Sequence, residues 1–387
     1  MFKSIVLIAL LWLSLDGNTA VKKRIFILHS YSQEYEWTKR QNDSFVSELK
    51  DNFPLPIEIS VEYLDTKRLE FSEEYQKFFL TYLETKYKNY LPDVVYVTDD
   101  NALKFFLHPE NRLFGHSPVF FSGVNDLSLA KTIDPLRYTG VYETKDLVPN
   151  IELIRQFSPQ TRDIWILGDD STTYKSIEAD IRKHILSYPK YTFHIIASAH
   201  IHDIIAKLPN TPQSFVLLTT IGGWNDEDGH NLTLKESIEH LTQNPNLIVC
   251  SMEDAYVTGG VIGGFVTSGT SQGKHAADLV VRYLKGEAVK SIGSVLKSPN
   301  IYMFDHDALK RSRLILSEYT ARDAVILHKE KSFYERFHEI ILDVTFITFV
   351  LFFVFIVAVI FIIHQKNNRI ETLKIALSEK SSEEQND

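Results

Sequence analysis

The chain has 387 residues, 44% apolar and 24% charged, the composition of a globular protein with a sizeable core rather than a disordered one. Its formal charge of −9, with no arginine-rich segment or zinc-finger spacing, leaves no basic stripe to neutralise phosphates and excludes a general nucleic-acid binder. A lone cysteine, Cys250, excludes an internal disulfide, and within NLIVCSM it reads as a small apolar residue of a buried strand.

The opening, MFKSIVLIALLWLSLDGNTA, has a cationic start at Lys3, an apolar run over 5–15 and a small residue at Ala20, the pattern of a secretory signal spanning 1–20. Asn18, at the −3 position, departs from the small residue usual there and leaves an uncleaved anchor as the alternative, although the run is short for a bilayer. Either reading exports the chain.

Short runs rich in β-branched and aromatic residues follow: RIFILHS (24–30), IEISVEYL (57–64), DVVYVTDD (93–100) and PVFFSGV (118–124). Near-continuous apolar strands separated by helix-length segments predict a parallel sheet covered on both faces, an α/β lobe over about 24–137. YTGVYE (138–143) reads as a crossing segment, and a helix with apolar Leu147, Ile151, Ile154 and Phe157 comes next. The rhythm then restarts with DIWILGDD (163–170), YTFHIIAS (191–198), SFVLLTTIG (214–222) and NLIVCSM (246–252), a second lobe over about 143–258. Each lobe is expected to hold four strands. GGVIGGFVT (259–267) reads as a strand that needs close backbone approach, a helix is expected over about 271–285, and NIYMFDHDALKR (300–311) is expected to return to the first lobe, with the ligand-binding domain ending near 320.

Residues 321–343 are expected to be juxtamembrane. The uncharged run VTFITFVLFFVFIVAVIFII (344–363) is long enough, at about 1.5 Å per residue, to cross a bilayer as a helix. His364, Lys366, Arg369 and Lys374 behind it, with Glu339 and Asp343 ahead, predict a cytoplasmic side after the span; Lys331 and Arg336 soften that asymmetry. The expected location is therefore the inner membrane, with one C-terminal span and the large domain in the periplasm. In the tail, 364–387, Ile370, Leu373 and Leu377 continue the helical spacing before the polar SEKSSEEQND, enough for a contact and not for catalysis.

In a two-lobed α/β protein, ligand-contacting residues lie in the loops just after the strands. Those positions are Ser30, Tyr31 and Trp37; Asp65; Thr98 and Asp99, with Asp100; Ser122 and Gly123, with Asn125; Asp169 and Tyr174, with Asp170; Thr219 and Trp224, with Thr220; and Glu253, with Asp254. Aromatic faces can cover a planar or apolar ligand, and hydroxyls and carboxylates can fix its polar ends. Each also has a structural alternative, because Asp, Ser and Thr at strand ends cap the next helix, as TDDNALKFF and GDDSTTYKSI suggest. So many acids together bias the cleft toward a ligand with an amino group, an amino acid or similar small nitrogenous metabolite.

No catalytic or metal site emerges. GTSQGK (269–274) has three residues between its glycines and His275 after its lysine, which fails the phosphate-loop spacing. His194, His200 and His202 stand without a Cys or Glu-x-x-His beside them. The adjacent pairs Asp99/Asp100 and Asp169/Asp170 diverge at a strand end and make poor acid/base dyads. No enzyme activity and no cofactor are expected.

Together, ILHSYSQEYEWTKRQNDSF, PDVVYVTDDNALKFF, PVFFSGVND and GGFVTSGTSQGKHAADLVVRYLKGE resemble the substrate-binding-protein family of ABC transporters, with the type I periplasmic-binding-protein fold, in the form used as an extracytoplasmic sensor. DAVILHKEKSFYERFHEIIL (323–342) is similar to the exit from such sensor domains in bacterial histidine kinases and diguanylate cyclases, so the resemblance covers about 24–363. It implies two Rossmann-like parallel-sheet lobes with hinge crossovers, a small molecule bound between them, and a signal sent through the span to a separate histidine kinase or diguanylate cyclase, or to a second copy of the chain. The alternatives are the tethered substrate-binding component of an ABC permease and a sensor histidine kinase truncated before its catalytic domains, which would need roughly 150 to 250 further residues.

Overall fold

A computed structural model describes residues 22–330 and 333–383. The signal expected over 1–20 lies outside the described residues. In the first lobe, β1 (Lys23–His29), β2 (Ile57–Tyr63), β3 (Val94–Thr98), β4 (Val119–Val124) and β5 (Tyr138–Tyr142) form a parallel sheet in the order β2-β1-β3-β4-β5. Between them lie α1 (Glu36–Asn52), α2 (Glu73–Lys86) and α3 (Asp99–Leu107). Alternate residues of the strands face opposite layers: Phe26, Leu28, Val95 and Val97 pack with Phe79 of α2 and Phe105 of α3, whereas Ile25, Ile27, Val94 and Tyr96 pack with Phe45 and Leu49 of α1. Burial on both faces is why these strands read as unbroken apolar runs.

The second lobe contains α4 (Leu147–Phe157), β6 (Asp163–Gly168), α5 (Thr172–Ile185), β7 (Thr192–Ala197), α6 (Ile201–Ile205), β8 (Ser214–Thr220), α7 (Leu234–Thr242), β9 (Leu247–Ser251) and β10 (Gly263–Val266). The chain then returns to the first lobe through α8 (Gly269–Leu284) and α9 (Val289–Ile292). Ala276 and Val280 of α8 join the layer under Phe45. At Gly273, α8 approaches α1 so closely that a Cβ would sit 2.2 Å from the Ser44 hydroxyl.

The segment expected to rejoin the first lobe at 300–311 does not. Residues Ile301–Asp305 form β11, antiparallel to β10, and β12 (Val325–Leu327) pairs with β11 in turn, so the second sheet runs β12-β11-β10-β9-β8-β6-β7. The reason is local. Gly263, at φ 100, lets the β11 backbone approach to a distance no side chain would tolerate, and Phe304 buries itself in the second lobe's core. The sheets have five and seven strands rather than four each, α10 (His306–Arg311) and α11 (Glu318–Arg322) complete the second lobe, and residues 321–328, expected to be juxtamembrane, belong to the fold.

Cys250 is a buried residue of β9, and burial pushes its thiol up to about 12, far from thiolate chemistry. A separate unit carries α12 (Phe333–Glu383), in which Arg336–Ala376 is long and apolar enough to cross a membrane. Along it the Thr345 and Thr348 hydroxyls donate to the carbonyls of Ile341 and Val344, the local pairing a hydroxyl requires in an apolar medium.

Candidate functional site: the cleft between the lobes

The chain crosses between the lobes three times: after β5, after β10 and before β11. These crossings form a floor tied by hydrogen bonds. Asn300 donates to the Thr144 carbonyl at 2.8 Å, and the buried Lys145 ammonium donates to Glu253 at 2.8 Å, Glu143 at 3.1 Å and the Thr267 hydroxyl at 3.3 Å. Burial opposes the Lys145 charge, but Glu253 and Glu143 outweigh it and hold its pKa above the ordinary lysine value. Burial raises the pKa of Glu143 despite Lys145, because Glu253 adds a second negative charge.

Above the floor opens a cleft of about 460 Å³. The first lobe lines it with Tyr31, Lys67, Asp100, Lys104 and Asn125, and the second with Ser171, Thr173, Ser176 and Asp180 from the start of α5. At its edges the lobes meet. The Tyr31 hydroxyl is 3.5 Å from the Thr173 hydroxyl, and Arg40 of α1 donates to the Asp254 carbonyl at 3.0 Å with its guanidinium 3.5 Å from the Asp254 carboxylate. A side chain on Gly222 would lie 2.6 Å from the Tyr35 hydroxyl, so the bare glycine is what admits Tyr35 of the first lobe. Burial pushes the Asp254 carboxyl up to about 6, with Arg40 pulling the other way.

Beneath this contact is Asp99. It opens α3 with φ 65, in the left-handed region that a non-glycine residue occupies only at some cost. The fold leaves it 2% exposed; one carboxylate oxygen accepts from Trp37 Nε1 at 3.0 Å and the other has no hydrogen-bond partner among the described residues. Burial, reinforced by the charge of Glu143, drives its pKa well above the carboxylate range. Gly123, in the bulge of β4, makes room for that carboxylate and donates its N–H to Gln272 at 3.0 Å.

Of the residues singled out from sequence, Tyr31, Asp100 and Asn125 line the cleft, and Trp37, Asp99, Gly123 and Glu253 are buried outside its lining. The others are occupied within the fold. Ser30 bridges the Thr98 carbonyl and the Ala102 N–H, Thr98 pairs with His29, and Ser122 bonds Tyr96 at 2.6 Å. Thr219 donates to the Leu167 carbonyl, Trp224 to the Gly168 carbonyl, and the Tyr174 ring covers Gly168 in the core. Asp169 accepts from Ser171, Thr220 and Gly223 and shapes its own loop, while Asp65 pairs with Arg68. Helix capping is not what occupies them: Thr98 precedes α3 without a side-chain cap bond, and α5 is capped by Ser171 rather than by Asp169 or Asp170.

The lysines were missed. Lys67 stands two residues beyond Asp65 in the same strand-end loop, and Lys104 is one helical turn beyond Asp100, so both were legible from the loop-after-strand rule. Nothing in the sequence pointed to the burial of Lys145 in a crossover. His194 pairs with Asp163 and stacks on Trp165, and His202 lies beside Asp203, both apart from the cleft lining. Among the described residues, Asp226, Asp228 and His230 bring metal-ligating atoms together in an exposed turn, where Asp226 accepts the backbone N–H groups of Asp228 and His230.

No family model matches the chain, and no curated protein does. Solved structures match its fold. A conserved domain protein from Vibrio cholerae O1 biovar El Tor aligns with a TM-score of 0.56 at 14% identity, over 79% of this chain and 99% of that one. The ABC domain from Streptococcus pneumonia, in complex with L-Trp, gives 0.57 at 13% over 79% and 99%. A ligand-free, open substrate-binding protein with adhesive properties from Clostridium difficile gives 0.54 at 13% over 80% and 100%. The chain has the type I periplasmic-binding-protein fold. Nearly the whole of each neighbour is matched, so the likeness embraces both lobes and the crossovers between them.

Proposed function

We propose that the chain is a membrane-anchored extracytoplasmic receptor that binds a small organic molecule between its lobes and reports the occupancy, through α12, to a separate partner. The observation that carries this reading is the cleft itself: a cavity of ligand size, walled by polar side chains from both lobes and floored by the three crossovers on which the lobes would hinge. Its fold neighbours add support, since one holds L-Trp and another is a substrate-binding protein. No catalytic role is proposed for the cleft. Glu143 and Glu253 are engaged by Lys145, burial raises the pKa of Asp99, and among the described residues lining the cleft no nucleophile is paired with a base.

A ligand that touches both walls binds the closed form better than the open one, and that difference limits the signal it can send. The span of α12 follows β12 of the second lobe in the chain, and a histidine kinase, a diguanylate cyclase or a second copy of the chain in the inner membrane is the partner class this reading implies, with the large domain in the periplasm. The ligand class is an amino acid or similar small nitrogenous metabolite.

The test is thermal melting of the full chain in lipid nanodiscs against amino acids, polyamines, nucleobases and organic acids. A ligand of the folded state adds about 2.7 kcal/mol at a hundredfold excess over its dissociation constant, a shift that melting resolves. A selective shift supports the receptor reading, whereas no shift with any compound from a folded chain overturns it.

A further inference from the structure

The charges lining the cleft are not evenly matched. Its carboxylates have partners within the fold: Asp100 accepts the N–H groups of Asn125 at 3.2 Å and Asp126 at 3.1 Å, Asp126 accepts that of Ser128, Glu143 accepts from Lys145, and Asp180 lies 3.4 Å from His184 Nδ1. Its lysines divide. Lys145 is enclosed by two carboxylates, but neither Lys67 nor Lys104 forms an ion pair or a hydrogen bond among the described residues. Lys67 lies over the rings of Tyr31 and Tyr35, 5.0 and 5.7 Å from their centres, which holds the ammonium against the cleft without neutralising it. Lys104 lies on α3 one turn beyond Asp100, which feels its charge from beyond ion-pair distance.

We propose that Lys67 and Lys104 are the specificity-determining residues of the cleft and hold an oxyanion of the ligand, a carboxylate or a phosphate. Two lysines on one wall of a closing cleft lose solvent as the lobes meet, and a ligand oxyanion supplies the counter-charge that the fold omits. The facing wall is compatible with the same group, because it is the amino-terminal end of the 14-residue α5 with the Thr173 and Ser176 hydroxyls on its first turns. An oxyanion between these walls favours closure. This inference rests on the receptor reading and names the feature the ligand must carry.

The experiment measures dissociation constants by calorimetry on the full chain in nanodiscs, using L-amino acids with their uncharged carboxamides, succinate, glycerol 3-phosphate and putrescine as probes. The proteins are wild type, the double variant Lys67→Gln/Lys104→Gln and the charge-retaining Lys67→Arg/Lys104→Arg. The expected result is that every binder carries an oxyanion, loses about tenfold or more in the Gln variant, stays much closer to wild type in the Arg variant, and weakens with added salt. Succinate against glycerol 3-phosphate then tells carboxylate from phosphate. A carboxamide or putrescine binding as tightly as the acids, or an acid unaffected by the Gln variant, overturns the lysine assignment and leaves the receptor reading intact. Absence of binding by every probe, with the chain folded by melting, removes both.

Discussion

The two walls of the cleft are built from equivalent positions, the loops after parallel strands, yet they behave differently. In the first lobe these loops turn outward: Tyr31, Lys67, Asp100 and Asn125 all face the cavity. In the second they turn back on themselves. Asp169 ties Ser171, Thr220 and Gly223 into one knot, and Trp224 and Thr219 hydrogen bond to carbonyls of β6, so only the start of α5 reaches the cleft. The difference teaches that equivalent topology does not give equivalent roles. The first lobe offers the charged surface, and the second offers a wall shaped by its own hydrogen bonds.

Changes at four places break or sharpen that contrast, in order of expected effect. Lys145 serves both walls at once, and replacing it with Met leaves Glu143 and Glu253 buried without their cation. The loss is about 3 to 5 kcal/mol in denaturant unfolding, largely restored when both glutamates are also made Gln; a loss below about 1 kcal/mol would mean the floor is not held by charge.

The next effect is pH-dependent and belongs to the edge where the walls meet. Asp254 titrates near 6 in the fold against an ordinary 3.8, so its contribution favours the folded form fully below the ordinary value and is lost as pH rises through 6. The loss amounts to at most about 3 kcal/mol, and Asp254→Asn should flatten that limb of the melting profile between pH 4 and 7. Arg40, Glu253 and Ser268 act on this group, with Glu36 paired to Arg40 behind it, so Arg40→Gln should move the limb to higher pH, since the guanidinium is what pulls the carboxyl down.

Gly222→Val tests the fit of the pre-shaped wall. The added carbons collide with Tyr35, and a cost of about 1 to 3 kcal/mol in melting is expected, against little effect if Tyr35 swings free. Tyr31→Phe should matter least, within about 0.5 kcal/mol, because the Tyr31–Thr173 contact at 3.5 Å is too long for a strong hydrogen bond.

Much of the fold was legible in the sequence because strands buried on both faces announce themselves as apolar runs, and RIFILHS and DVVYVTDD became β1 and β3 with only their end residues changed. The path of the chain after β10 was not legible. Whether NIYMFDHDALKR pairs with one sheet or the other depends on the open backbone of Gly263, a long-range partner that no periodicity encodes. The site was legible at the level of loops and not of side chains. Asp169 and Lys67 occupy comparable strand-end loops, and only three-dimensional hydrogen bonding decides that one closes its own turn while the other is left facing the cavity. Lys145 lies further still from sequence reasoning, since a charged residue in a crossing segment reads as solvated until two carboxylates from distant loops enclose it.

The central claim, that a small molecule closes the first lobe's charged surface onto the second lobe's wall, is tested most directly by a distance between the lobes. Spin labels at the exposed positions Lys88 and Lys190 of the full chain in nanodiscs would report it by pulsed electron resonance. With a compound that raises the melting temperature, the distribution should sharpen to a single shorter population. A compound that binds and leaves the distribution as broad as before would contradict the account.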